Sequence, residues 1–179
     1  MGPTDEDLMS AYAAGDVRAF ESLFARLAPR VHGFFLRSFR DEAVADDLLQ
    51  VTFMKLHRAR ARYRPDLKLA PWVFAVAARV RIDELRRRLR LPEDAGEEAI
   101  ARADEQAPRD PPALNDLQDA VRAALDALPE SQRTVIHLHR YEGMTFAEIA
   151  SALGTTEGAV KLRAFRGYER LREQLKGVL

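Results

Sequence analysis

Residues 145–166 read TFAEIASALGTTEGAVKLRAFR, a stretch in which two short helical patterns meet at Gly154 and the second pattern becomes basic. Thr145 and Glu148 have the spacing of a capping box, in which each side chain accepts a hydrogen bond from the other residue's backbone amide. Gly154 suits the left-handed conformation that commonly ends a helix. A threonine after this turn can cap the next helix. The stretch therefore predicts a helix, a tight turn and a second helix.

The small and apolar residues of this stretch occupy positions that a helix-turn-helix requires. Ala150 lets the second helix approach the first, and Val160 buries the second helix against it. The opposite side of the second helix is basic and its N-terminus has free amides, so it suits phosphates and base edges in the major groove. The alternative is an ordinary helical corner with a solvated basic face. The residues predicted to contact DNA are Thr155, Thr156, Lys161, Leu162, Arg163, Phe165, Arg166 and Arg170.

Helical periodicity extends over most of the 179 residues, and no alternating run bounded by turn residues indicates a strand. Asp16 is placed to cap one helix, and Pro29 is expected to kink or end that helix. The sequence has no cysteine, which excludes a disulfide framework and a cysteine-based zinc site. Its longest apolar stretch is too short to span a bilayer. We therefore expect an all-α, cytoplasmic protein without membrane insertion.

An acidic, proline-containing segment divides the chain. Residues 92–112, PEDAGEEAIARADEQAPRDPP, contain four prolines and almost no large apolar side chains, so burial cannot offset their ordering entropy. Residues 91–115 carry 2 Lys and Arg against 7 Asp and Glu, whereas residues 1–90 carry 17 against 12. The formal net charge of zero hides this distribution. We predict two small helical domains, at 1–91 and 115–179, joined by a flexible acidic linker at 92–114.

The motifs resemble those of a known family. Residues 124–175, with a leucine-proline before a "QR" helix and then EIA, LG, VK and RLR in order, resemble region 4 of extracytoplasmic-function sigma factors of bacterial RNA polymerase. Residues 15–31, 46–56 and 71–90 are similar to the opening helices, the core-binding helix and the promoter helix of that family's region 2. The resemblance covers almost the whole chain outside the linker.

The resemblance implies an alternative sigma factor, which catalyses no reaction itself. Region 2 would dock on the β′ clamp helices of RNA polymerase core and capture the melted −10 element of promoter DNA. Region 4 would dock on the β flap and read the −35 element. An anti-sigma factor is a further expected partner, and no cofactor is expected.

Two other classes of function compete with this one. A helix-turn-helix activator that binds its own operator as a dimer needs only the C-terminal domain, and it leaves the N-terminal half unexplained. An enzyme is not indicated, because the sequence has no nucleophile–base set or phosphate-binding loop. His137 and His139 are two residues apart and face different ways on a helix, so they predict no metal site.

The region 2 motifs supply further candidate residues. The residues predicted to bind core polymerase are Asp46, Asp47, Gln50 and Phe53. The residues predicted to contact the −10 element are Tyr63, Lys68, Trp72, Arg79, Arg86, Arg87 and Arg88. The alternative for Phe53 and Trp72 is a place in the core. The alternative for the arginine cluster is a solvated helix end that favours the helix dipole, with Asp83 orienting one of the arginines.

Two residues of the second helix depart from the family's pattern. Leu162 stands where a small polar residue is usual, and Phe165 stands where a histidine is usual. We interpret these side chains as apolar contacts to a thymine methyl group. The alternative is that both pack on another protein.

Overall fold

The computed structural model describes residues 2–92, 95–105 and 117–176, and these residues are helical without any strand. The predicted all-α class is confirmed. Two compact units cover Met1–Arg81 and Ile82–Leu179, a division that falls inside a helix, whereas the sequence predicts a boundary after residue 91. The helices are α1 (Asp5–Ala13), α2 (Val17–Phe39), α3 (Glu42–Ala59), α4 (Leu69–Leu89), α5 (Glu97–Glu105), α6 (Leu117–Ala127), α7 (Glu130–Arg140), α8 (Phe146–Leu153) and α9 (Glu157–Leu175).

Local sequence sets where the first helices begin. At α1, the Asp7 amide donates to Thr4 Oγ1 at 3.1 Å and the Thr4 amide donates to Asp7 Oδ2 at 3.0 Å, which is a capping box. Asp16 caps α2 as predicted, and its carboxylate accepts a hydrogen bond from the Arg18 amide at 2.9 Å. Each cap satisfies amides that have no partner within the helix.

The core of the first unit forms along α2, and packing in this core lets the helix continue beyond Pro29. Leu27 and Val31 lie on either side of the proline and are both buried. Because the helix packs against α1 and α3, it continues to Phe39 and does not end at Pro29. Further along α2, the ring of Phe34 meets that of Phe74 edge to face, with centroids 5.9 Å apart.

The segment predicted to be a flexible linker contains a helix, and that part of the prediction is wrong. Helix α5 packs on α7, and Ile100 in its centre is 2% exposed. The sequence signal was weak because a single large apolar residue stands among acidic neighbours, and its burial depends on a partner surface far along the chain. Residues 93–94 and 106–116 lie outside the described residues, so flexibility there stays a prediction.

Helix α7 lies at the centre of the second unit. Helices α5, α8 and α9 all pack against it, and every residue from 130 to 138 is buried. Val135 and Leu138 supply apolar contacts. The buried polar side chains also find partners: the Thr134 hydroxyl donates to Glu130 Oε1 at 2.7 Å. This helix therefore supports its neighbours on several sides.

Helix α9 approaches α7 closely at Gly167. A Cβ atom at this position would lie 2.7 Å from Ile136 Cδ1 and 3.4 Å from Gln132 Cβ. Both neighbours are buried, so they have little room to move aside. The absence of a side chain at Gly167 lets the two helices pack at this distance.

Gly167→Ala is expected to destabilise the second unit by about 1–3 kcal/mol, because the added methyl group overpacks a buried contact. Gly158→Ala is the matched control in the same helix. A Cβ at Gly158 would meet only Thr156 Oγ1, at 4.0 Å, so this variant should be unchanged or up to about 1 kcal/mol more stable. Differential scanning calorimetry of the full chain compares them. Equal stability of the two variants would contradict the close approach at Gly167.

Candidate nucleic-acid interface

Helices α8 and α9 form the predicted helix-turn-helix. The Thr145 amide donates to Glu148 Oε2 at 2.7 Å and the Glu148 amide donates to Thr145 Oγ1 at 3.2 Å, which is the expected capping box. Gly154 ends α8 with a φ of 68°, in the left-handed region that glycine adopts without strain. Thr156 then caps α9, and its Oγ1 accepts from the Ala159 amide at 3.2 Å. Local sequence therefore determines both ends of the turn.

Burial fixes which side of α9 faces solvent. Val160 and Ala164 are buried against the rest of the unit. Successive residues of an α-helix are rotated by about 100°, so Leu162 and Phe165 lie close to the direction opposite Val160. Leu162 is 48% exposed and Phe165 is 62% exposed. The centre of the exposed face is therefore apolar, which is unusual for a solvated helix.

Cations flank this apolar centre. Lys161 lies on one side of it and Arg166 on the other, and both are exposed. Lys161 Nζ is 2.7 Å from Glu157 Oε1, one turn earlier. Arg170, also exposed, lies one turn beyond Arg166. Because an exposed ion pair contributes at most about 1 kcal/mol, a phosphate can replace Glu157 as the partner of Lys161.

Arg163 is buried, and the prediction that it lies on the exposed basic side of α9 is wrong. It is only 9% exposed. The reason is its helical position, three residues after Val160 and next to Ala164, at the edge of the side that faces the core. Ser131 of α7 and Ala101 of α5 border the same space. The Arg163 side chain therefore packs within the unit.

The exposed face of α3 carries the polar residues predicted to bind polymerase. Asp47 and Gln50 are exposed and lie one turn apart on the same side. Asp46 is also exposed, and its carboxylate is 3.2 Å from His32 Nε2 of α2. Phe53 is buried, so the core alternative holds for this residue and its prediction as an exposed contact is corrected.

An apolar cleft beside Gln50 was missed by sequence reasoning. It has a volume of about 690 Å³, and Val17, Phe24 and Met54 line it with exposed side chains. The ring of Phe53 supports Phe24 from below, with centroids 4.7 Å apart. The available signal was the one-turn spacing of Gln50 and Met54 on α3. That signal was obscured because an apolar residue in a helix is ordinarily assigned to the core.

Packed aromatic side chains hold the loop before α4. Tyr63 is buried, and its hydroxyl donates to the Leu67 carbonyl oxygen at 2.7 Å. Burial raises the pKa of Tyr63, and nearby carboxylates add to the effect. Its ring centroid is 5.4 Å from that of the half-buried Trp72. Tyr63 is therefore not an exposed contact, whereas Lys68 and Arg79 are exposed.

The arginines near the end of α4 are held by acidic residues of the same helix. Arg87 Nη2 and Arg88 Nε both lie 2.7 Å from Glu84 Oε1. Hydrogen bonds from Arg87, the larger cause, and from Arg88 hold the pKa of Glu84 below its usual range despite burial. Arg86 Nη1 lies 3.4 Å from Asp83 Oδ1. Arg86 Nε also donates to the Ala95 carbonyl oxygen at 2.7 Å. Ala95 and Asp83 therefore hold Arg86, and Glu84 orients the other two arginines.

The two histidines of α7 have separate partners. His137 Nε2 lies 3.1 Å from Glu142 Oε1, whereas His139 Nδ1 is 2.8 Å from the Met144 carbonyl oxygen. Among the described residues, no cluster of three or more histidine or acidic side chains could hold a metal ion. The helices in the same ranges include none with both the length and the apolarity of a membrane span.

Comparisons with known sequences agree with this architecture. Residues 23–91 match Sigma-70 region 2, and residues 118–171 match Sigma-70, region 4. The chain is 41% identical over 169 residues to RNA polymerase sigma factor CarQ of Myxococcus xanthus, covering 93% of this chain and 95% of that protein. It is 32% identical over 168 residues to ECF RNA polymerase sigma factor SigM of Mycobacterium tuberculosis, covering 94% and 83%.

Solved structures share the fold. CnrH, solved in complex with the cytosolic domain of CnrY, has 27% identity and a TM-score of 0.63, with 97% of each chain covered. The sigma factor RpoE of Bartonella quintana, solved in complex with the anti-sigma factor NepR, has 23% identity and a TM-score of 0.64, with 89% of this chain and 98% of that chain covered.

A region 2 followed by a region 4 that ends in a helix-turn-helix defines a sigma-70-type transcription initiation factor. The chain belongs to the extracytoplasmic-function (ECF) family of RNA polymerase sigma factors. Members of this family bind RNA polymerase core and promoter DNA and are not enzymes. The function is therefore that of an alternative sigma factor, as the sequence predicts.

Glu84→Gln tests the ion-pair cluster of α4. Because the pKa of Glu84 is lowered in the folded chain from its ordinary value of 4.5, its pairing stabilises the fold above that pH. This contribution is lost as the pH falls through the lowered value. We expect the variant to be about 1 kcal/mol less stable at pH 7, with the two unfolding free energies converging in acid.

Calorimetry at several pH values measures this convergence. Asp83→Asn is the matched control, because Asp83 is exposed and its 3.4 Å contact with Arg86 is longer. It should change stability less at pH 7. A difference between Glu84→Gln and the parent that persists undiminished in acid would contradict the assignment.

Proposed function

We propose that this sigma factor binds RNA polymerase core through α3, engages the −10 element through cations of the loop before α4 and of α4 itself, and reads the −35 element through α9. The observation that carries the proposal is the exposed face of α9, where Leu162 and Phe165 lie between Lys161 and Arg166. Such a face suits the major groove, which has base edges at its floor and phosphates on both sides. The chain would act in the cytoplasm, where polymerase and promoters meet.

The α3 face has the composition of a protein-binding surface. Asp47 and Gln50 supply polar groups, and the neighbouring cleft supplies the exposed apolar side chains of Val17, Phe24 and Met54. An exposed apolar patch with a polar rim commonly marks a protein interface. We assign this face to the β′ clamp helices of the polymerase. Region 4 would dock on the β flap.

The −10 element would be engaged by cations of the loop before α4 and of α4 itself. Lys68 and Arg79 are exposed, and the packed rings of Tyr63 and Trp72 hold the loop that carries Lys68. The arginines at positions 86–88 would meet phosphates, which is the usual source of affinity in DNA binding. In this proposal Tyr63 positions the loop and does not touch DNA itself.

The −35 element would be read by α9 from its N-terminus to Arg170. Lys161, Arg166 and Arg170 would contact phosphates or base edges, and the free amides beside Thr155 and Thr156 would donate hydrogen bonds to a phosphate at the helix N-terminus. Leu162 and Phe165 would contact thymine methyl groups. The buried Arg163 would position α9 without reaching the groove.

An anti-sigma factor is the further partner that we propose. The related protein CnrH was solved with the cytosolic domain of CnrY bound, so a second protein can hold a chain of this fold. The competing proposal of a dimeric operator-binding activator has less support, because it assigns no role to the region 2 match at residues 23–91.

Arg166→Ala is expected to separate promoter reading from polymerase binding. Loss of this contact should cost about 1–3 kcal/mol of DNA affinity, and therefore reduce −35-dependent transcription about 5- to 150-fold with unchanged affinity for core. Gln50→Ala should instead weaken core binding. Arg172→Ala is the matched control, because Arg172 is an exposed arginine in the second half of α9 and should change neither quantity.

Core binding is measured by fluorescence anisotropy, and transcription is measured on promoters selected from a randomised library. Tight one-to-one binding with initiation from two-box promoters supports the proposal. An Arg166→Ala chain that transcribes like the parent would remove α9 from the −35 site. Failure to bind core, together with salt-sensitive binding to a palindromic duplex, would favour the activator.

Replacing single thymines of a selected −35 duplex by deoxyuridine tests the apolar contacts. The substitution removes only the 5-methyl group, so the parent should lose about fourfold in affinity at a contacted position, the ratio for about 0.8 kcal/mol per buried carbon. The double variant Leu162→Ala, Phe165→Ala should be insensitive to the same substitution. A parent that binds thymine and deoxyuridine duplexes equally would assign the two side chains to a protein contact instead.

A further inference from the structure

An acidic helix of the linker lies beside the recognition helix. A cleft of about 270 Å³ separates α5 from one side of α9, which we call the shoulder of α9 and define as Leu162, Arg163 and Arg166. Glu98, Ala101 and Arg102 of α5 also line this cleft. Two of the three shoulder residues are among those proposed to contact DNA. Helix α5 therefore occupies space next to the DNA-reading face.

Burial of Ile100 anchors α5 in this position. Ile100 is almost completely buried, and α5 packs on α7. By contrast, the side chains of Glu98 and Arg102 are largely exposed. Among the described side chains of α5, those of Ile100 and Ala101 are thus buried, and the two charged ones are exposed.

The charge of the docked helix opposes DNA. Helix α5, residues 97–105, carries 4 acidic against 1 basic side chain, and the backbone of DNA is also negatively charged. A phosphate that approaches Arg166 along the shoulder of α9 enters the cleft that Glu98 and Arg102 both line. The bulk of α5 and its net negative charge therefore act in the same direction, against DNA.

We propose that docked α5 is an intramolecular competitor of DNA for the shoulder of α9. The free chain then binds DNA weakly, and removal of α5 from α7 raises DNA affinity. The inference rests on the proposed role of α9 in DNA binding. Because coupling between two binding events is reciprocal, DNA bound to α9 also loosens α5. A polymerase surface that takes up the linker would activate DNA reading by the same linkage.

Ile100→Asp in the full chain tests the competition. Removing the anchor should increase affinity for a mixed-sequence duplex about 5- to 20-fold, within the usual range of such couplings, even though the variant adds a negative charge. Ala99→Asp is the matched control. It adds the same charge at a half-exposed neighbour of Ile100, and it should leave affinity unchanged or slightly lower. Fluorescence anisotropy at low salt measures both.

Hydrogen exchange on the unmodified chain supplies a second measurement. It tests the competition between α5 and DNA even if calorimetry shows that Ile100→Asp unfolds the second unit. The amides of α5 should exchange faster when the same duplex is bound at saturation. Equal or stronger protection of α5 in the complex would overturn the inference.

DNA binding by α9 and competition by α5 can be tested separately. A parent that binds duplex, loses that binding in Arg166→Ala and gains none in a folded Ile100→Asp would overturn only the competition. If neither the parent nor Ile100→Asp binds duplex, the DNA-binding role of α9 and the competition fall together.

Discussion

The packing of α9 against α7 is the constraint on which the DNA-reading face depends. A helix presents a different set of side chains for every rotation about its axis, and a rotation of about 100° moves each contact by one residue. Gly167 allows α7 to approach closely, and Val160 is buried on the same side of α9. Together they permit one rotational setting, in which Leu162 and Phe165 point outward. A buried glycine and a buried valine therefore decide which residues of α9 face solvent.

The parts of this structure that the sequence predicted are those with local causes. The capping box at Glu148 and the left-handed Gly154 depend on residues within one turn, so they could be predicted. The burial of Arg163 and Phe53 depends on neighbours far along the chain. Helix α5 is the extreme case, because Ile100 needs a surface that α7 provides. Periodicity identifies an apolar side of a helix, but the width of that side is set by tertiary packing.

The cations of α9 and those of α4 differ in how readily they can exchange an acidic partner for a phosphate. Glu157 is exposed, so it can turn to water when a phosphate takes Lys161. Glu84 is buried and holds two arginines, and removing them would leave a buried charge without compensation, which is costly. Arg87 and Arg88 can therefore add a phosphate only while they keep Glu84. The zero net charge of the chain is the sum of equal numbers of acidic and basic residues, and it does not argue against a DNA-binding role.

The energy that holds α5 in place is small enough for a partner to overcome. A helix of 9 residues is marginal in isolation, so its stability depends on docking. Burial of one isoleucine contributes about 1.5–3 kcal/mol, and ordering the segment offsets part of this gain. A net preference of about 1–2 kcal/mol corresponds to a docked population of roughly 85–97% at 25 °C. Such a helix would lie beside the shoulder of α9 most of the time in the free chain, yet a modest affinity of polymerase for the linker would be sufficient to remove it.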